Sequence, residues 1–143
     1  MSNQRIKDSV DALTGGPAAD DAIVAQERAQ WALAGALLTG VVMGFVARAL
    51  TESAILVGGL IGGSAGLALA VGTTYWVIAR VGDHVLVCSS PRWAPKAAAI
   101  EQRLAAPVDY EVTSGLITHR VDVAAKQVRV PRQLLERLRT ILG

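Results

Sequence analysis

His84 and Cys88 are the residues of this chain whose types most invite chemistry. Both are metal-ligand types, and on a strand, four positions apart, they point to the same face. His119 joins them if its strand lies alongside. Yet a zinc site normally takes three or four protein ligands, and the sequence has no CxxC or HxxxH pair. Cys88 as a nucleophile needs an activating base and positive surroundings, and only the closeness of His84 speaks for one. Ser89 and Ser90 have no triad partner in view. Asp109 and Glu111 share a solvated strand face, with Arg120 as their expected neighbour across a hairpin. No glycine loop suited to a phosphate is present. The expectation is therefore a protein that is not an enzyme, with no catalytic residue, no metal, no cofactor and no evident small-molecule substrate.

The elements that carry these residues are set by an uneven distribution of charge. Of 143 residues, 52% are hydrophobic and 18% charged, against roughly 25% charged in an ordinary soluble domain. Residues 1–30 hold three basic and five acidic groups, residues 31–79 hold only Arg48 and Glu52, and residues 80–143 hold ten basic and six acidic groups. Two polar ends thus flank an almost uncharged middle. In it, "WALAGALLTGVVMGFVA" starts at Trp31 and "SAILVGGLIGGSAGLALAVGTTYWVIA" starts at Ser53. A bilayer core needs about 20 apolar residues of helix, so spans are expected over about 30–50 and 53–79. The competing reading, two buried helices of a soluble protein, leaves too few other residues to cover both. A cleaved leader is the other competitor, because Ala47-Arg48-Ala49 has the look of a cleavage site. Such leaders begin with a short positive region, whereas here the preceding 30 residues carry a net charge of −2 and a second span follows at once.

Only "RALTES" separates the spans, which predicts an antiparallel hairpin with both ends on one side. Arg28, Arg80, Arg92 and Lys96 outnumber Arg48, so both termini are expected in the cytoplasm of a cell whose plasma (inner) membrane holds the hairpin. Trp31, Tyr75, Trp76 and Trp93 are expected at the membrane interface. Arg48 is expected to snorkel there or to pair with Glu52. Cys88 is the single cysteine, in keeping with a reducing compartment.

Small residues recur every four positions in the second apolar stretch, at Ala54, Gly58, Gly62, Gly66, Ala70 and Thr74, widened by Gly59 and Gly63. The first has a matching row at Ala32, Ala36, Gly40 and Gly44. Such rows let helices approach closely in lipid, where the hydrophobic drive between helices is absent. The pattern resembles the glycine zippers of several unrelated small membrane proteins and names no family. Two uses are expected from it: locking one hairpin, and joining copies into a homo-oligomer.

At the N-terminus, Ile6, Val10 and Leu13 stand at helical spacing, so residues 1–17 read as amphipathic or disordered, broken by "GGP". Asp20 or Asp21 then caps a helix that runs into the first span, within a hairpin region of 18–80. Residues 81–143 read as a small basic α+β domain of order β-α-β-β-β-α. Its elements are a strand at 83–90, a helix at 96–106, the strands "VDYEVT", "LITHRVDV" and "QVRV", and a last helix after Pro131 with Leu134, Leu135, Leu138, Ile141 and Leu142 as its stripe. Ile117, His119, Val121 and Val123 are expected inward. Arg92, Lys96, Arg129, Arg132, Arg137 and Arg139 form a basic set suited to anionic lipid or a partner. Nucleic acid is disfavoured, since no aromatic stacking platform accompanies them. The reading is of a non-catalytic assembly or accessory subunit of a membrane complex that associates with itself, with membrane lipids and other subunits as partners. The alternative is a pore-forming or holin-like protein.

Overall fold

A computed structural model describes residues 3–143, so Met1 and Ser2 of the expected N-terminal segment lie outside the described residues. The chain forms two units. One is Arg28–Thr73, and the other joins residues 3–27 to Thr74–Gly143.

The first unit is a pair of helices, α2 (Gln30–Leu50) and α3 (Ala54–Val71). Alanine and leucine favour the helical backbone throughout. Thr51 turns the chain out of α2 while its N–H still donates to the Ala47 carbonyl at 2.9 Å, and its hydroxyl accepts from the Ser53 N–H at 3.1 Å. At the other end the Ala29 N–H donates to the Gly72 carbonyl at 2.8 Å. A Cβ on Gly72 would stand 2.4 Å from that of Ala32, so only glycine fits where the two ends meet. Arg48 and Glu52 form no ion pair. Both helices are long and apolar enough to cross a membrane by length and composition.

The second unit is built on a seven-stranded sheet. Its strands are β1 (Asp21–Arg28), β2 (Thr73–Val81), β3 (His84–Ser90), β4 (Ala99–Ala105), β5 (Tyr110–Thr113), β6 (Thr118–Val123) and β7 (Lys126–Pro131). They lie in the order β4-β3-β2-β1-β7-β6-β5. The β1–β7, β2–β3, β3–β4, β5–β6 and β6–β7 pairs are antiparallel. Helix α1 (Asn3–Thr14) precedes β1. A 3-10 turn (Arg132–Leu134) and helix α4 (Leu135–Leu142) follow β7.

Each side of the sheet has its own apolar cluster. Ile23, Trp76, Ile78, Val87, Val128 and their neighbours pack under α4 through Leu135, Leu138, Ile141 and Leu142. Val77, Ala79, Leu86 and Cys88 pack under α1 through Ile6 and Val10. The Ser9 hydroxyl of α1 accepts from the Ala97 N–H at 2.8 Å, and the Asp11 carboxylate accepts from the Ala19 N–H at 2.7 Å. These bonds fasten the C-terminal half of the helix. At the other helix, the Arg80 guanidinium donates to the Ile141 carbonyl at 3.3 Å, a cation placed where the C-terminus of α4 favours one.

Five expectations are corrected here. The second apolar stretch, expected as one span over 53–79, is a helix only to Val71, and Thr73–Val81 is strand β2. Beyond Gly72 the residues become β-branched and aromatic, which suits a strand. Because β2 is buried on both faces, it reads as an unbroken apolar run and hides its own boundary. The expected helix at 96–106 is β4, in which Ile100, Gln102 and Leu104 are half-buried between exposed neighbours. Its Ala, Glu, Gln, Arg and Leu favour helix locally, and pairing with β3 overrides them. The expected capped helix before the first span is β1. The sheet unit therefore extends well outside 81–143, taking in α1, β1 and β2. Ile117, expected inward, is 82% exposed beside Leu116 at the β5–β6 turn.

Candidate functional site

The residues with chemical potential are scattered by the sheet. His84 lies exposed at the start of β3. Cys88 shares its face but stands four residues on, about 13 Å along a strand, which is too far for a shared ligand. The Cys88 side chain is fully buried beneath α1. Burial pushes its thiol up to about 11, against which the Arg103 charge acts, while the Glu101 charge adds to the rise. A thiol so held is protonated and inert at neutral pH. His119 is 7% exposed and alternates along β6 with Val121 and Val123, on the α4 side of the sheet and so away from Cys88. Neither ring nitrogen of His119 has a hydrogen-bond partner. No group of three metal-ligating side chains occurs among the described residues. Arg120 stands opposite Thr113 and Arg129, not opposite an acidic residue, because Glu111 pairs in register with Asp122.

The basic set divides. Arg137 is tied to Asp21, with its Nε donating to Oδ2 at 3.1 Å and its Nη2 bonding Oδ1. Nη2 also donates to the Ala22 carbonyl at 3.2 Å. Asn3 and the Ala22 N–H donate to the same carboxylate. Burial alone raises the Asp21 carboxyl, but these hydrogen bonds and the Arg137 charge outweigh it and hold the carboxyl below its ordinary range. The Asp21 bond raises Arg137 in turn. Arg137 thus pins α4 to β1 and is not a free surface charge. Arg139 pairs with Glu136 at 2.8 Å within α4. Arg92, Lys96 and Arg132 are exposed, and Arg129 is half-buried beside Arg120.

The expected interface aromatics divide too. Trp31 at the start of α2 and Trp93 are exposed. Trp76 is corrected: it belongs to the sheet core, its indole N–H donates to Glu27 at 2.6 Å, and the Lys126 ammonium sits 3.7 Å over its ring. Tyr75 is half-buried on β2, opposite Ser90.

Two concave regions are notable. In the sheet unit, a cleft of about 460 Å³ is bordered by Ile6, Val24, Tyr75, Pro91, Arg92 and Arg137. It is large enough for a small molecule but presents no nucleophile or acid–base pair. In the helical unit, a groove of about 470 Å³ runs along Leu37, Gly40, Val41, Gly44, Phe45 and Ile61.

The glycine rows do not meet as expected. Gly40 and Gly44 of α2 pack against Ile61, and a Cβ on Gly44 would come within 3.1 Å of it. On α3, however, nothing lies within 4 Å of where a Cβ on Gly58, Gly59, Gly62, Gly63 or Gly66 would stand. At 100° per residue Gly59, Gly63 and Gly66 lie about 140–160° round α3 from Ile61, Gly62 about 100° and Gly58 about 60°. A large aliphatic residue fills α2's row, and α3's row faces outward. The sequence pattern revealed both rows, but the hairpin's rotation could not be read from it.

The chain matches no known protein family, no curated protein and no solved structure.

Proposed function

We propose that this chain is a small integral protein of the plasma (inner) membrane, in which α2 and α3 cross the bilayer as a hairpin and both termini lie in the cytoplasm. It serves as a non-catalytic assembly or accessory subunit of a membrane complex and associates with itself. One observation carries the reading. The helices turn their large apolar side chains outward: Leu37 is 65% exposed, Phe45 76% and Ile55 85%, and α3 has no buried residue. At 1.5 Å per residue the 21 residues of α2 and the 18 of α3 extend about 32 and 27 Å, close to the roughly 30 Å of a hydrocarbon core. Exposed apolar area of this extent is foreign to a soluble monomer.

The orientation follows from Arg28, Arg80, Arg92 and Lys96 against Arg48. Self-association rests on the open glycine row of α3, which offers a second copy a close approach with no side chain in the way. The non-catalytic role is supported by the protonated thiol of Cys88 and the separation of His84, Cys88 and His119.

The test is fractionation followed by crosslinking in native membranes. The chain is expected in the membrane pellet, resistant to alkaline carbonate and released by detergent, and crosslinked oligomers are expected to diminish with Gly62→Leu. A chain that stays soluble and monodisperse without detergent refutes the reading. Leakage of liposomes carrying the purified chain, abolished by Gly62→Leu, replaces the accessory role with pore formation.

A further inference from the structure

The sheet ends in two edges, and they differ in what they can accept. β5 is four residues long. Antiparallel pairing of β5 with its own copy about Glu111 would oppose like charges, and pairing about Val112 would set Glu111 against Thr113. β4 is seven residues long, with its outer side unpaired among the described residues. Its sequence, Ala99-Ile100-Glu101-Gln102-Arg103-Leu104-Ala105, is complementary to itself when reversed about Gln102: acidic meets basic, and alanine meets alanine.

The β3–β4 register shifts between Val87 and Cys88, which leaves Glu101 as an extra residue. Ile100 therefore packs with the cluster under α1, while Leu104 packs with the cluster under α4. The aliphatic positions do not share a face, so charge decides the pairing. Arg103 stands opposite Leu86 of the cluster under α1, and Glu101, two residues before it on the strand, shares that side of the sheet. Both are exposed, and neither side chain has a hydrogen-bond or ion-pair partner among the described residues.

We propose that two copies of this chain join edge to edge through β4, antiparallel about a two-fold axis at Gln102, so that each Glu101 stands opposite the Arg103 of the other copy. An unpaired strand edge is a row of backbone donors and acceptors ready for another strand. A two-fold contact uses every complementary pair twice. Exposed edges are commonly protected by charge. Here the charges are of both signs and symmetrically placed, so self-pairing brings opposite charges together and other registers bring like charges closer. The contact is separate from the glycine face of α3, and the two are tested apart.

The experiment uses the full chain in native membranes and in detergent, with Gln102→Cys as the reporter. Facing residues of paired strands have Cα atoms about 4.5–5.5 Å apart, within the range a disulfide spans. Mild oxidation is expected to give a disulfide-linked dimer that the native chain, with Cys88 buried, does not give. Adding Glu101→Arg or Arg103→Glu is expected to lower the crosslinked fraction about tenfold, and adding both together is expected to restore it. Circular dichroism of each variant confirms an intact sheet, as both side chains are exposed. The proposal is overturned if Gln102→Cys yields no dimer, if a single swap crosslinks as well as its parent, or if the double swap stays as poor as the singles. It is also overturned if Gly62→Leu abolishes the Gln102→Cys crosslink, which would assign the contact to the helices.

Discussion

The helical unit and the sheet unit are built inside out relative to one another. In α2 the buried residues are Ala32, Ala36, Gly40 and Ala47, and the leucines, valines and phenylalanine face outward. In the sheet unit Ile23, Ile78, Leu138 and Ile141 are almost fully buried, and Glu101, Arg103, Arg120 and Arg132 face outward. Apolar content alone therefore says little about where a residue stands. The size of the residue at the contact says more: large side chains fill the core of the sheet unit, and small ones close the hairpin, with Ile61 set against Gly40 and Gly44. Each arrangement suits a different surrounding, and under the proposed function those surroundings are water and lipid.

Core truncation is the strongest way to break this comparison. Leu138→Ala is expected to cost the sheet unit about 2–5 kcal/mol in denaturant unfolding in detergent, whereas Leu37→Ala, a change of the same chemistry on α2, is expected to cost less than about 0.5 kcal/mol. Equal losses would mean that the helices bury their large residues after all. Gly72→Val comes next. It forces side-chain atoms into Ala32, and overpacking of this kind costs about 1–3 kcal/mol. Hydrogen exchange at the Ala29 amide, which closes the hairpin, is expected to quicken about tenfold or more, with sheet amides unchanged.

Asp21 sharpens the contrast by pH. Its carboxyl is held low in the folded chain, so its stabilisation is complete above the unfolded value of about 3.9 and is lost as pH falls through the folded one. The pair with Arg137 is partly exposed, at 38% and 27%, so solvent screening limits it to about 1 kcal/mol. Asp21→Asn is expected to lower stability by that amount at pH 7 and to flatten the acid side of the stability curve for the sheet unit. The smallest effect concerns the β6–β7 turn, where Ala124 and Ala125 both have positive φ, 53° and 59°. Such a backbone costs a residue with a Cβ roughly 1 kcal/mol, so Ala125→Gly is expected to raise the melting temperature by a few degrees.

Legibility in the sequence followed the physics of each segment. The stripe of α4, the strands near 84–90 and 118–123, and two long apolar helices were readable, because each shows one clear period or an unmistakable length. β2 was not, since a strand covered on both sides has no period to betray it. β4 was not either, since its helix-forming composition yields only to the presence of β3. The placing of the reactive side chains was readable in part: the spacing of His84 and Cys88 is plain from the sequence, whereas the burial of Cys88 and the surroundings of His119 depend on which sheet face each occupies. Arg137 looked like its basic neighbours, and only its place beside Asp21 distinguishes it.

β1 and β2 are neighbours in the sheet, yet the whole of α2 and α3 lies between them in the chain. During translation, β1 leaves the ribosome with its lateral partners unmade and must wait through the synthesis of both helices. The sheet is completed only after the hairpin exists. A chain whose hairpin fails to form therefore holds β1 apart from the β2 neighbour it has in the finished sheet.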